Sequence, residues 1–218
     1  MEKNQKILAI ETSNELCSAA LVFNENNFDE RNILLKHVHS EKLIPTIEEL
    51  LNSNKITTND LTCVAVSIGP GSFTGLRIGL TSAKAIAFAS NLPIIPVPTF
   101  SALALEIADY TKINSEFFIV NNANIEECYL AKYKNDKLGI IELNIPTLTL
   151  KKELVNIFNE GSLIFGNLKN LENIKFISSP RASYIGKWAY FFGRDLLTFD
   201  YDFLEPNYLK DFKIKRIQ

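Results

Sequence analysis

The chain has 218 residues, 46% of them hydrophobic and 22% charged, the balance of a folded globular protein rather than of a disordered, collagen-like or disulfide-stapled one. That length suits one large domain or two small ones, each able to bury a core. The 23 Lys plus Arg against 25 Asp plus Glu give a net charge of −2, so no global positive field exists to hold nucleic acid unaided.

In chain order, residues 7–12, 16–23 and 33–38 are short runs rich in Ile, Leu and Val, separated by Ser13-Asn14-Glu15 and Asn24-Glu25-Asn26-Asn27. They read as three strands joined by hairpins. From Ser40 the period changes, with Leu43, Ile47, Leu50 and Leu51 at helical spacing. Ser40 is the expected cap, and Pro45 is expected to kink or delay this helix. A strand over 63–68, a Gly-rich turn over 69–75, a helix to about residue 90 and a strand over 94–97 follow, then a helix capped by Thr99 or Ser101.

The second half repeats the order in shorter form. Strands are expected over 117–120, 128–133 and 138–143, a helix over 151–159, strands over 163–165 and 174–177, and a helix over 182–197. Two α/β lobes built from βββαβα units follow from this, residues 1–111 and 112–218, with the junction in the polar stretch 110–115 and the final residues returning to the first lobe. Residues 121–129 read as a hairpin loop that needs no function.

Three cysteines (Cys17, Cys63, Cys128) form no disulfide framework or CxxC motif, which points to a reducing cytoplasm. Neither a secretory leader nor an uncharged apolar run of membrane-spanning length is expected. His37 and His39 would share a strand face if the strand extends that far. With no third His and no clustered Cys, metal binding is not expected, nor is any cofactor.

The most specific segment is Ser67-Ile-Gly-Pro-Gly-Ser-Phe-Thr-Gly-Leu-Arg-Ile-Gly-Leu80. A strand running through a Gly-rich loop into a helix presents backbone N–H groups that attract anions. Its spacing matches neither the dinucleotide fingerprint nor the P-loop nor the nucleophile elbow. Either Gly69, Gly71 and Ser72 form a structural turn with a helix cap, or they join Glu11, Thr12 and Ser13 at the end of the first strand in a nucleotide or phosphate site. In the helix that follows, Gly75, Gly79, Ala83 and Ala87 recur every four residues. Such a ridge without bulk admits close approach, either of the chain's own sheet or of a partner helix. The tail Lys210-Asp-Phe-Lys-Ile-Lys-Arg216 is locally basic and reads as a solvated terminus or an RNA-phosphate contact.

Three segments together, Ile7-Leu-Ala-Ile-Glu-Thr-Ser13, His39-Ser-Glu-Lys-Leu-Ile-Pro-Thr-Ile-Glu-Glu-Leu-Leu51 and Gly69-Pro-Gly-Ser-Phe-Thr-Gly-Leu-Arg-Ile-Gly79, followed by Ala83-Lys-Ala-Ile-Ala87 and Pro96-Val-Pro-Thr-Phe-Ser101, resemble the TsaB (YeaZ) family of bacterial tRNA threonylcarbamoyladenosine synthesis. The likeness is dense from Ile7 to about Ala104 and thins to Glu127-Cys-Tyr129 and Pro206-Asn-Tyr-Leu209 beyond it. It implies the two-lobed fold of actin, hexokinase and Hsp70-type (RNase H-like) ATPases, with the second lobe degenerate.

The resemblance also implies a non-catalytic scaffold in the cytoplasm that dimerises with the metal-holding paralogue TsaD, which modifies the tRNA adenosine beside the anticodon. TsaE, an ATPase, and TsaC, which makes the adenylate, complete the pathway; tRNA is met only through the complex, no membrane is involved, and the chain alone is expected to form a homodimer. The implied interface is Leu43, Ile47, Leu51, Gly75, Leu76, Gly79, Leu80, Ala83 and Ala87, so that Gly79→Leu should abolish assembly and leave the monomer folded. Asn122-Ala-Asn124 departs from the Asp-Ala-Arg-like turn of relatives, and Glu11 stands for their usual Asp. The rival reading is an ATPase or a metallopeptidase-like enzyme of the same fold.

Overall fold

The computed structural model describes residues 5–35, 37–137 and 139–209. The first sheet contains β1 (Ile7–Glu11), β2 (Leu16–Val22), β3 (Phe28–Leu34), β4 (Cys63–Gly69) and β5 (Ile94–Pro98) in the order β3-β2-β1-β4-β5. The second contains β6 (Glu116–Asn122), β7 (Glu127–Asp136), β8 (Gly139–Leu150), β9 (Leu163–Gly166) and β10 (Ile174–Lys175) in the order β10-β9-β6-β7-β8. Counted from the first strand of each unit, both orders are 3-2-1-4-5. Both sheets pair their first three strands antiparallel and the rest parallel. The doubled unit inferred from the sequence is therefore real, and the topology is that of the actin/hexokinase/Hsp70-like class.

Parallel neighbours need a crossover. In the first lobe α1 (His39–Ser53) and α2 (Phe73–Ala89) supply the crossovers. In the second, the β8–β9 link holds only a 3-10 turn, Lys151–Asn156, where a helix over 151–159 was expected, and the link from Gly166 to Ile174 contains no helix. That is the degeneracy of the second lobe.

β1 is buried along its whole length because both faces of its sheet are covered. Leu8 and Ile10 face Leu43, Ile47 and Leu50 of α1 and Leu80 and Ala83 of α2. Ile7 and Ala9, pointing the other way, meet Ala182, Ile185 and Ala189 of α4 (Ala182–Phe192). α4 lies so near the sheet that a Cβ on Gly186 would sit 2.4 Å from a Val22 methyl. The last helix of the first unit, α3 (Thr99–Ala108), turns Phe100, Leu103, Ala104 and Ile107 onto Phe117, Ile119 and Tyr133 of the second sheet. Each lobe's last helix thus packs on the other lobe's sheet, and the two helices lie against each other between the sheets.

An ion pair reinforces this junction. Arg181 N and Nε donate to Glu106 Oε2 and Oε1, both at 2.8 Å, and Arg181 Nη1 lies 3.9 Å from Glu30 Oε1. Burial raises the Glu106 carboxyl pKa, and Arg181 opposes that rise. Arg181→Met, which strands two buried carboxylates, is expected to destabilise the chain by about 2 kcal/mol, less than a fully buried pair because the Arg181 side chain stays 36% exposed. A urea midpoint identical to wild type at neutral pH would refute this.

Several expected boundaries shift. The third strand is Phe28–Leu34, not 33–38. It is polar because it is an edge strand, held by register from Val22↔Phe28 to Leu16↔Leu34 and by the Asn24 side chain, which accepts from Asn26 N and Asn27 N and tightens the preceding turn. α1 starts at His39 with Val38 as cap, not at Ser40, and Pro45 does not delay it. Pro45 and Glu41, whose carbonyl loses its acceptor role there, both lie on the solvent side. Neither Thr99 nor Ser101 caps α3, whose N-cap is Pro98; the Thr99 hydroxyl instead accepts from Gly69 N at 2.9 Å. α4 ends at Phe192 rather than at 197, because Gly193 N closes on Ala189 O and the chain then turns away.

Candidate functional site

The Gly-rich turn and the end of β1 do come together, and they close on each other. β4 ends at Gly69, whose φ of +115° suits glycine. The chain then turns into α2, where Ser72 is the cap and its Oγ accepts from Gly75 N. Ser72 N donates to Ser13 O at 2.6 Å, and Thr12 Oγ1 donates to Gly75 O at 2.8 Å. A Cβ on Gly71 would lie 2.6 Å from Ser13 O, one on Gly75 2.1 Å from Thr12 O, and one on Gly79 2.2 Å from Thr12 Oγ1. The glycines serve close approach between α2 and the first strand. The N–H groups of Ser72 and Gly75 donate within the chain, to Ser13 O and to the Ser72 cap.

Glu11 lies beneath this turn, fully buried. Its Oε1 accepts from Ser13 N at 2.5 Å, and the Ser13 and Ser67 hydroxyls lie beside the carboxylate. Burial pushes the Glu11 carboxyl up to about 7; the nearby Ser13 and Ser67 hydroxyls and the Ser13 N–H pull it down, and the charge of Glu106 adds to the rise.

All nine residues of the expected helix interface are internal, which corrects the idea that the small-residue ridge meets a partner. Leu43, Ile47, Leu51, Leu80, Ala83 and Ala87 belong to the chain's own core with Leu8 and Ile10. Leu76 is buried beside Gly69, and Gly75 and Gly79 rest on Thr12. The outer surface of the same two helices is a different stripe. On α1 it carries Glu41, Ile44, Pro45, Glu48 and Glu49; on α2 it carries Phe73, Arg77, Thr81, Ala85 and Phe88, the last 78% exposed. Their spacing of three or four was visible in the sequence, but nothing local distinguished outer stripe from inner.

Sequence reasoning did not anticipate how the segment after α4 is fastened. Thr198 exchanges both backbone hydrogen bonds with Ile94 at the edge of β5, Tyr201 OH donates to Leu92 O at 2.6 Å, Leu204 packs on the first-lobe core, and Asn207 N donates to Ile68 O at 2.7 Å. This strap ends beside the start of α2. There Arg77 Nε donates to Tyr208 OH at 2.9 Å, and the guanidinium lies 3.8 Å from the centre of the Phe73 ring. The basic stretch from residue 210 to 216 lies outside the described residues.

Between the lobes is an open cleft of about 1260 Å³, reached by Glu15, Asn122, Asn167 and Ser178. Asn14 bridges it, donating to Ser178 O and accepting from Asn167 Nδ2. At its rim, the β6–β7 hairpin is held by Asn124, whose Oδ1 accepts from Glu126 N and Glu127 N, both at 2.9 Å. Lys151 Nζ donates to the Asn124 and Ile125 carbonyls. His37 and His39 do not share a strand face: His37 is exposed at φ 60°. His39 opens α1, buried, its Nε2 3.2 Å from Leu16 O. Among the described residues no three His, Cys, Asp or Glu side chains gather as metal ligands would.

Comparison with known proteins bears on this arrangement. The family model described as TsaD, tRNA N6-adenosine threonylcarbamoyltransferase, matches residues 34–142, half of the chain. The tRNA threonylcarbamoyladenosine biosynthesis protein TsaB of Escherichia coli K12 is 32% identical over 151 residues, 69% of this chain and 64% of that protein. The protein of the same name from Bacillus subtilis is 34% identical over 140 residues, 64% and 59% of the two chains. The tRNA N6-adenosine threonylcarbamoyltransferase of Staphylococcus haemolyticus is 39% identical over 114 residues, 44% of this chain and 33% of that one. The matched regions thus span about three fifths of the TsaB relatives. The solved structure of YeaZ from Pseudomonas aeruginosa superposes with a TM-score of 0.78 at 21% identity, covering 94% of this chain and all of that one, a likeness of fold. On the family match and the sequence relatives, the chain belongs to the TsaB family.

Proposed function

We propose that this chain is a non-catalytic subunit of tRNA threonylcarbamoyladenosine synthesis that pairs with the transferase TsaD through the outward stripe of α1 and α2. The observation that carries the reading is the closed turn. The Gly-rich turn packs directly on Thr12 and Ser13, with Ser72 N committed to Ser13 O, whereas Ile44, Phe73 and Phe88 leave apolar surface on the adjoining helices.

Pairing with a paralogue is natural on symmetry grounds. A partner that shares α1 and α2 can meet this chain by a pseudo-twofold contact, each α1 facing the other's α2. The charges suit it, since the exposed face of α1 carries Glu41, Glu48 and Glu49 against one Lys42, and the only charges of α2 are Arg77 and Lys84. The same complementarity supports a homodimer when the chain is alone, with partner and self competing for one surface. TsaE and TsaC act around the pair, and tRNA is met through the complex in the cytoplasm. No helix among the described residues is long and apolar enough to cross a membrane.

Light scattering on a sizing column tests this. The chain mixed with TsaD from the same cell is expected to elute at the summed mass. Two unshifted peaks, with nucleotide and TsaE present as well, would end the subunit reading, and ATP hydrolysis by the chain alone would favour an enzyme.

A further inference from the structure

The strap and α2 enclose a groove of about 340 Å³ with Arg77, Thr81 and Lys84 on one wall, Tyr208 on the other and Leu204, Glu205 and Pro206 along it. Two cations and one carboxylate, the exposed Glu205, line it, and among the described residues no ion pair within 4 Å joins Glu205 or any other carboxylate to Arg77 or Lys84, so the groove keeps a net positive charge. Arg77 is also held in place: its Nε is fixed by Tyr208 OH and its plane is stacked on Phe73. A guanidinium immobilised in this way has already lost its rotamer freedom, so its fork can engage a planar anion at little further entropic cost. The apolar wall lowers the local dielectric and strengthens any charge pair formed there.

We propose that this groove receives a carboxylate side chain from the partner's counterpart of α1, with Arg77 as the bidentate fork and Lys84 as the second cation. The inference rests on the subunit reading above. The choice of an acidic occupant follows from charge: α2 has no acidic residue, this chain's own α1 turns three glutamates outward, and the family model of the transferase spans both helices. The strap is then a working part of the interface, because without Tyr208 the Arg77 fork is no longer oriented.

The test is titration calorimetry of this chain against purified TsaD from the same cell at low and high KCl. Arg77→Glu is expected to weaken the complex roughly tenfold or more, and Arg77→Lys less, since charge survives but the fork and the stacking do not. Salt is expected to weaken the wild-type complex and to affect Arg77→Gln much less, with melting temperatures of the free variants unchanged. Wild-type affinity in Arg77→Glu would overturn the groove proposal and leave the subunit reading standing. Absence of any wild-type complex would overturn both. If Arg77→Glu instead lowers the melting temperature of the free chain and Asp211→Asn copies it, the groove serves this chain's own tail and the proposal falls.

Discussion

Gly79→Leu is expected to destabilise the chain itself strongly, not to leave an otherwise intact monomer that has lost its partner. A Cβ at this position would lie 2.2 Å from Thr12 Oγ1, and the same hydroxyl donates to Gly75 O, joining the end of β1 to the first turn of α2. A leucine must push α2 off the strand, breaking that buried hydrogen bond and opening the packing of Leu80 and Ala83 on Leu8 and Ile10. Overpacking of a dense core costs about 1–3 kcal/mol, and a buried hydrogen-bonding group left unpaired about 1–3 more. Against a stability of about 5–15 kcal/mol this is a large loss. Circular dichroism melting of the purified variant decides it: a wild-type melting temperature would mean that α2 has room to move outward, and the close approach would not be the reason for glycine. Thr81→Arg, on the exposed stripe, is the contrasting variant, expected to melt like wild type and to fail in complex formation.

The second large effect is a pH dependence set by Glu11. Its carboxyl is raised from an ordinary 4.5 to about 7, chiefly by burial. A folded-state value above the unfolded one means that folding favours the protonated form, so the stabilisation is complete below about pH 4.5 and is lost as pH rises through 7. Carried to pH 8 the loss is about 3 kcal/mol. Glu11→Gln keeps an acceptor for Ser13 N and has no proton to lose. Its urea midpoint is expected to match wild type near pH 5 and to exceed it at pH 8. Glu106, which is also raised by burial, contributes a slope of the same sign to both proteins, so the difference between them reports Glu11 together with its charge coupling to Glu106. A constant difference across this range would show that Glu11 stays ionised in the folded chain.

These two expectations mark the limit of what could be read in advance. Ser72 as the helix cap, the small-residue ridge and the doubled strand order all rest on local signals, namely a hydroxyl before a helical run, a four-residue period and apolar runs between polar turns. β1, buried on both faces, announces itself as the continuous run Ile7-Leu-Ala-Ile10. β3 does not, because its partner on one side is solvent and its residues Asp29, Glu30, Arg31 and Asn32 obey no apolar pattern. The stretch from Lys151 to Asn159 has helical spacing without a long enough covered face, and only a 3-10 turn forms there.

Taken alone, the sequence determined the fold class, the family and the fact that α2 must be approached closely along Gly75, Gly79, Ala83 and Ala87, because periodicity, capping and missing side-chain bulk are properties of a segment. The neighbours that make that approach come from distant parts of the chain. Thr12 and the first sheet occupy the ridge, α3 and α4 are exchanged between sheets, and the strap returns along α2 to lock Arg77. Each of these joins residues far apart in the chain. A helix shows in its sequence which stripe is small or apolar, but which neighbour fills that stripe depends on where the rest of the chain is carried, and that is settled by packing between distant segments.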